Sequence, residues 1–268
     1  MKKLSGLLKA LNSVYRSSLS LFTGPEFSPN IFHPQFLIQF YMKRNLRSAS
    51  RYISGLLLDL GCGTKPYVEI FSSNCKGYFG MDSSGFRRPE FFVTRNGLSP
   101  DILGNICRLP FKNGSADTVL CTQVLEHLRQ PDQAIAEIKQ VLRSGGILIA
   151  SVPQAYPLHD KTNDYYRFTS LGIRYLLEDN GFEVLDIMRH GGFFVERALM
   201  SNIYSNYNLF REGEGVGFMR LCLSLLKVVL TPALLLINAV NNISGLILNC
   251  FDPDHDFTHN YTVIARRN

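Results

Sequence analysis

Apolar positions along this chain follow two different periods. In residues 2–22, Leu4, Leu7, Leu8, Leu11, Val14, Tyr15, Leu19 and Phe22 fall at the spacing of one helical face. The opposite face holds Lys2, Lys3, Lys9 and Arg16 and no acid. This predicts a basic amphipathic helix. Such a helix can pack its stripe on the rest of the protein or lie on an anionic membrane surface. Lys9 and Arg16 interrupt the run that a cleavable signal peptide needs. Residues 23–34, rich in Pro, Ser and Asn, read as a linker. Residues 35–53 read as a helix with Phe36, Phe40, Leu46 and Ile53 available for burial.

From Leu56 the texture becomes short apolar runs between helical stretches. Strands are predicted at 56–60 (LLLDL), 78–82, 118–123, 146–152 and 182–187, with helices near 66–73, 131–142 and 169–180. Gly145-Gly146 reads as a helix stop and the turn into the next strand. Residues 261–267 (YTVIARR) read as a last strand. Alternating strands and helices imply βαβ units and a mostly parallel sheet covered on both faces. Residues 193–256 differ. They begin polar and aromatic, and from Val228 to Phe251 they carry no charge at all, which reaches transmembrane length. Pro232, Asn238, Asn241, Asn242, Ser244 and Gly245 interrupt that run, and unpaired amides are costly in lipid. The expectation is therefore a helical insert or lid, with peripheral membrane contact through 2–22 and 228–251 as the alternative. The chain divides into an N-terminal segment (1–54), a core (55–192), the apolar insert (193–256) and a final strand of the core sheet (257–268).

Composition narrows this further. At 46% hydrophobic and 19% charged, the 268 residues can bury a large core. Disordered, collagen-like and coiled-coil classes are excluded. The net charge of +6 is uneven. Residues 1–54 carry eight Lys+Arg against one acid, Glu26, whereas the rest carries 20 against 21. The main domain therefore lacks the basic excess of a nucleic-acid reader. Cys62, Cys75, Cys107, Cys121, Cys222 and Cys250 include no CxxC pair. They read as small core residues in a reducing compartment. No His/Asp/Glu cluster has metal-ligand spacing, and Asp252–Asp256 reads as a solvated loop, so no metal is expected.

The chemistry begins at Asp59-Leu-Gly61-Cys62-Gly63-Thr-Lys65-Pro66, directly after an apolar strand. Glycines there let the backbone turn sharply and approach a ligand. A nicotinamide site wants a third glycine, and Pro66 stands in its place. Asp82 ends the next strand, where an acid takes both hydroxyls of a ribose. Then follow Gly104-Asn105-Ile106-Cys107-Arg108-Leu109-Pro110-Phe111, Asp117, Gln123-Val-Leu125-Glu126-His127 and Leu142-Arg-Ser-Gly145-Gly146.

In this order of motifs, residues 55–190 resemble the class I S-adenosylmethionine-dependent methyltransferases of the type 11 group. The resemblance implies a Rossmann-like seven-stranded α/β sheet with a reversed last hairpin, flanked here by N-terminal helices and a helical insert before the last strand. It implies S-adenosylmethionine as cofactor. Gly61 and Gly63 would border its methionine and ribose parts, with Cys62 filling space inside the turn. Asp59 would anchor the turn and reach the amino group, and Asp82 would hold the ribose. Asn105, Ile106 and Gln123 complete the expected cofactor contacts. Asn105 stands where the family usually has an acid. An amide still accepts a hydrogen bond, more weakly than a carboxylate, so weaker adenine recognition is expected.

A second stretch follows the 146–152 strand, running from Pro153 through Tyr156, His159, Asp160, Asn163, Asp164, Tyr165, Tyr166, Arg167 and Phe168 to Thr169. Ligands of doubly wound sheets bind beyond the carboxyl ends of strands. The segment is similar to HD…NDYYRFT stretches of methyltransferase-like proteins in glycan and cell-surface biosynthesis. A sulfonium methyl is already activated, so the protein mainly aligns a nucleophile with it. A hydroxyl acceptor must also lose a proton. His159 suits that role, and Asp164 could orient it or act as the base itself. Tyr165, Tyr166, Arg167 and His127 are candidates to hold the acceptor. A structural Asp164–Arg167 ion pair with packing tyrosines is the alternative reading. The expected function is cytoplasmic O-methylation of a small or glycan-like acceptor, lipid-linked if the apolar segments meet the inner face of a membrane. The rivals are a non-catalytic scaffold of the same fold, a nicotinamide oxidoreductase and, more remotely, a nucleic-acid methyltransferase.

Overall fold

The computed structural model describes residues 20, 22–25, 27–85, 99–160, 162–208, 217–253 and 256–268. Nearly all of the predicted basic helix at 2–22, together with Asp254, His255 and the side chain of Cys222, lies outside the described residues. The described residues form two compact units. The larger holds residues 41–85, 99–190 and 258–268, and the smaller holds residues 20–40, 191–208, 217–253 and 256–257.

In chain order the elements are α1 (Phe36–Ala49), β1 (Leu56–Leu60), α2 (Val68–Phe71), β2 (Gly77–Asp82), β3 (Ile102–Leu103), β4 (Ala116–Thr122), α3 (Pro131–Val141), β5 (Leu142–Pro153), α4 (Ser170–Asp179), β6 (Phe182–Arg189), α5 (Phe193–Ile203), α6 (Gly217–Asn249) and β7 (Asn260–Arg267). The larger unit is built on a seven-stranded sheet of order β3-β2-β1-β4-β5-β7-β6. Strands β1 to β5 are parallel. Strand β7 runs antiparallel between β5 and β6, which is the expected reversed hairpin.

Side chains alternate between the faces of each strand, so one apolar run feeds two cores. Leu58, Leu60, Val119 and Cys121 face Ile135 and Ile138 of α3 and Ile173 and Leu177 of α4. Leu57, Leu120, Ile149 and Ile264 face Met42, Leu46 and Ala49 of α1 together with Tyr67 and Phe71. Burial on both faces explains why these strands read as continuous apolar runs. Two predictions need correction. Helix α3 stops at Val141, and Gly145-Gly146 lies inside β5. There Gly145 has φ +73° and the register against β4 shifts, so the pair forms an irregularity of the strand rather than a helix stop. Cys250 is exposed, not a core residue, whereas Cys62 and Cys121 are buried.

In the smaller unit α6 has an inverted pattern. Among its described side chains from Val229 on, the fully buried ones are amides and many of the large apolar ones are exposed, with Leu234 and Ala239 buried. Asn238 and Asn242 are fully buried. Asn242 donates to the carbonyls of Ile31 (2.7 Å) and His33 (3.0 Å) and accepts from Asn202 at 3.0 Å. Asn238 donates to Phe32 O at 3.1 Å and accepts from Asn206 at 2.8 Å. Both of these buried amides thus have partners, as burial requires. Val229, Leu236, Val240, Ile243 and Ile247 are exposed. Val229–Asn249, 21 residues of mean hydropathy 1.5, is long and apolar enough to cross a membrane.

Candidate active site

The carboxyl ends of the parallel strands carry the expected chemistry. After β1 the chain reverses through Gly61, whose φ of +74° and lack of a side chain are both required. A Cβ there would lie 2.3 Å from Val124 Cγ2. The turn hangs on β2. Gly61 and Cys62 N–H both donate to Met81 O, at 2.8 and 3.1 Å. Gly63 N–H donates to Asp82 Oδ2 at 2.7 Å, and Ser83 N–H donates to Asp82 Oδ1 at 2.7 Å. Each carboxylate oxygen keeps a further lone pair for a hydroxyl. A Cβ on Gly63 would meet nothing within 4 Å, so the turn borders open space where a ligand can approach.

Lys65, the residue before Pro66, takes φ +53°. Its ammonium pairs with Asp101 at 2.5 Å, and the same carboxylate accepts from Gly80 N–H at 2.7 Å. A Cβ on Gly80 would lie 2.5 Å from Lys65 Cε and 2.7 Å from Cys62 Sγ. Gly80 and Asp101 therefore shape the turn. Sequence reading missed both, because their signal is a contact and not a motif. Burial pushes the Cys62 thiol well above its ordinary value, which fits a space-filling residue and not a nucleophile.

Asp59 departs from its expected role of anchoring the glycine turn. It is buried on β1, its Oδ2 accepts the Tyr78 hydroxyl, and its Oδ1 has no hydrogen-bond partner. Burial raises its carboxyl to about 7; the Tyr78 hydrogen bond opposes the rise and the Asp82 charge adds to it. The raised value means that the folded state holds a proton which the unfolded state has released, between the ordinary Asp value and about pH 7. Stability from this group is therefore present at low pH, falls as pH rises through that window and levels off above it. Asp59→Asn removes the loss. Its thermal midpoint, set against the wild type, should gain about 3 °C or more between pH 5 and pH 8, read by circular dichroism.

The adenine side is also partly committed. Asn105 is exposed, and its Oδ1 accepts Cys107 N–H at 2.9 Å, while Ile106 is buried. Gln123 follows β4 with φ +54°. Its amide donates to Ser151 Oγ and Asn260 Oδ1, both at 3.1 Å, which ties together the ends of β4, β5 and β7.

Beyond β4 and β5 the acceptor candidates converge. Glu126 is buried, and its carbonyl accepts Tyr165 N–H at 2.8 Å, latching the loop after β5 to the segment after β4. His159 Nδ1 lies 3.3 Å from Asp164 Oδ2, and His159 N–H donates to that oxygen at 3.1 Å. Asp164 therefore lies against both the ring and the backbone N–H of His159. Burial holds the His159 imidazole below its ordinary value, against the pull of Asp164, so the ring is neutral near pH 7. Hydrogen bonding from Arg167 holds the Asp164 carboxyl at about 2. His127 Nδ1 lies 2.7 Å from Asn163 O, and the two histidine rings touch through Nε2 atoms 3.0 Å apart.

Arg167 does not reach toward an acceptor. It donates to Asp164 at 2.6 and 2.8 Å and to the carbonyls of Tyr156, Tyr166 and Pro157, so it is a positioning residue. The structural ion-pair reading holds for it. The Tyr165 hydroxyl accepts from Arg129 Nε at 2.9 Å and the Tyr166 hydroxyl donates to Arg129 O at 3.1 Å. Both residues remain more than a third exposed, with the Arg129 guanidinium over the Tyr165 ring at 5.5 Å and Phe168 beside the Tyr166 ring at 5.8 Å. Arg129 escaped the sequence reading for want of any motif, and Asn163 was part of the polar stretch but carried no assigned role.

Residues 58–150 match the methyltransferase domain family. A relative from Mycolicibacterium smegmatis, named as an S-adenosylmethionine-dependent methyltransferase, is 28% identical over 175 residues, covering 56% of this chain and 65% of its own length. The chain thus spans less than two thirds of that relative. Among solved structures, the 4+2 cyclase SpnF superposes with a TM-score of 0.51 at 22% identity, covering 85% of this chain and 82% of its own. A Bacillus halodurans C-125 protein assigned as a methyltransferase gives 0.51 at 14% identity, covering 84% and 98%. These likenesses establish a shared fold. Taken with the strand order and the matched segment, they make the core a class I methyltransferase domain. Its cofactor is S-adenosylmethionine.

Proposed function

We propose that the whole protein transfers a methyl group from S-adenosylmethionine to a hydroxyl of a polar, glycan-like acceptor, lipid-linked and met at the inner face of a membrane. The observation that carries this reading is the placement of two constellations beyond the carboxyl ends of parallel strands of one sheet, the first at β1 and β2 and the second at β5. One is the glycine turn held on Asp82, the other the neutral His159 held by Asp164. In outline, the cofactor lies along the turn with its ribose on Asp82. The acceptor oxygen gives its proton to the His159 cluster and attacks the methyl carbon. The carbon–sulfur bond breaks, its electron pair stays on sulfur, and S-adenosylhomocysteine leaves. His127 and the faces of Tyr165 and Tyr166 line the acceptor side, sugar rings being well suited to aromatic surfaces.

The membrane part rests on α6. From Val229 on, its exposed large residues are apolar and Asn238, Asn241 and Asn242 are already paired, so lipid contact along this stretch leaves these amides satisfied. The basic stretch at 2–22 adds attraction to anionic headgroups. The protein should sediment with anionic vesicles, and Leu236→Asp with Val240→Asp should lower the bound fraction about tenfold. Equal sedimentation of wild type and double variant would remove the membrane from the account.

A non-catalytic scaffold is the second reading. Asn105 favours it, because its carbonyl is spent on Cys107 N–H and an amide lacks the family's usual charge. Calorimetric titration with S-adenosylmethionine separates the two. Micromolar binding supports the enzyme, and no binding to folded protein supports the scaffold.

A further inference from the structure

Glu126, His127 and His159 offer one carboxylate oxygen and two ring nitrogens, all within 4.8 Å of one another. The 32-position separation of the histidines hides this grouping in the sequence, where no metal was expected. The ring chemistry is specific. His127 Nδ1 sits 2.7 Å from a backbone carbonyl, which only accepts, so Nδ1 carries the proton. His159 Nδ1 sits 3.3 Å from Asp164 Oδ2, a carboxylate held by Arg167, so that Nδ1 carries its proton too. A neutral imidazole protonated at Nδ1 has a bare lone pair on Nε2.

Two bare lone pairs therefore face each other across 3.0 Å. They repel unless something positive joins them, either an extra proton or a cation. A proton shared between the rings leaves Glu126 unexplained. That side chain belongs to a residue 0% exposed, and neither of its carboxylate oxygens has a hydrogen-bond partner. A buried carboxylate is costly unless it is paired, metal-bound or protonated; burial raises the Glu126 carboxyl to about 8, so a cation that binds it displaces a proton. A cation satisfies the lone pairs and the carboxylate together.

We infer that Glu126, His127 and His159 form a binding site for a divalent transition-metal ion of the zinc class, with Asp164 and the Asn163 carbonyl as its outer shell. Two imidazoles and a carboxylate suit Zn²⁺. Zinc–nitrogen bonds of about 2.0–2.1 Å in tetrahedral geometry put two ligand nitrogens roughly 3.3 Å apart, close to the separation here. A Glu126 carboxylate oxygen lies within 4.8 Å of both ring nitrogens. Both Nδ1–H groups resting on oxygen acceptors is the arrangement that fixes metal-binding histidines.

The inference rests on the proposed methyl transfer for its purpose. An acceptor hydroxyl entering an open coordination position would lose its proton to solvent water more readily. His159 then serves as a ligand, and the metal takes over the activation that the ring supplies alone when the ion is absent.

The test uses the full chain, stripped with a chelator and titrated with Co²⁺, whose visible absorption reports four-coordinate binding. Zn²⁺ follows as competitor. Wild type should take up one equivalent of Co²⁺ with a visible band that Zn²⁺ abolishes. Glu126→Gln and His159→Gln should each weaken uptake at least about tenfold, with S-adenosylmethionine affinity in the same samples confirming that they fold. Absence of the band in wild type, or uptake unchanged in both variants, overturns the site. Methyl transfer by stripped and Zn²⁺-restored protein separates the two readings. Metal uptake without transfer to any hydroxyl acceptor leaves the site standing and removes the proposed reaction. Equal transfer by both forms, with no band, removes the site and leaves the reaction.

Discussion

Asp82→Ala should weaken S-adenosylmethionine binding about 100-fold, a loss near 2.7 kcal/mol. The carboxylate closes β2 onto the glycine turn. It accepts Gly63 N–H and Ser83 N–H, both at 2.7 Å, and hydrogen bonds to a charged group contribute about 1.5–3 kcal/mol each. Removing it costs affinity twice. The ribose hydroxyls lose their acceptor, and the turn they lie along loses the group that holds it. Asp82→Asn should fall between, because its single carbonyl oxygen cannot serve both backbone N–H groups and a hydroxyl. Calorimetric titration reads both variants. Affinity within threefold of wild type in Asp82→Ala would mean that the cofactor lies elsewhere.

The second large effect belongs to Arg167. Arg167→Leu should destabilise the protein by about 3 kcal/mol or more, the usual result of stripping one partner from a buried ion pair. The Asp164 side chain is 0% exposed and would be left without its two guanidinium bonds. The carbonyls of Tyr156, Tyr166 and Pro157 would lose their donor as well, and the loop that carries His159 would lose its shape. Arg167→Lys should not rescue, since an ammonium cannot reproduce the forked geometry. Urea unfolding of each variant measures the loss. The double variant Arg167→Leu/Asp164→Leu should lose less than the two single changes added together. A loss below about 1 kcal/mol in Arg167→Leu would show the pair to be superficial.

How much of this could be read from sequence depends on the range of the interactions. The strands β1, β2, β4, β5 and β6 and the helices α3 and α4 were legible because apolar runs and helical periods are local patterns. Strand β3 was missed, since its two residues are too few to show a period and exist only through pairing with Met81 and Asp82. Asp82 was legible from its distance beyond the glycine turn. Gly80 and Asp101 were not, because their role is to accommodate Lys65 and Cys62 across the sheet. The polar loop after β5 was recognised as chemically dense, but single residues could not be sorted. Tertiary contacts alone show that Arg167 is spent internally, that His159 meets His127 and that Glu126 closes the group. The amides of α6 read as a defect in an apolar helix, and they proved to be its inward face.

The most direct test of the central claim is methyl transfer itself. Protein on anionic vesicles, supplied with isotopically labelled S-adenosylmethionine and a lipid-linked glycan, is followed by mass spectrometry of acceptor and cofactor. The account predicts one labelled methyl ether on a sugar oxygen for each S-adenosylhomocysteine released, abolished in Asp82→Ala. Bound cofactor that stays intact across a panel of hydroxyl acceptors, or label found on nitrogen or carbon, would contradict it.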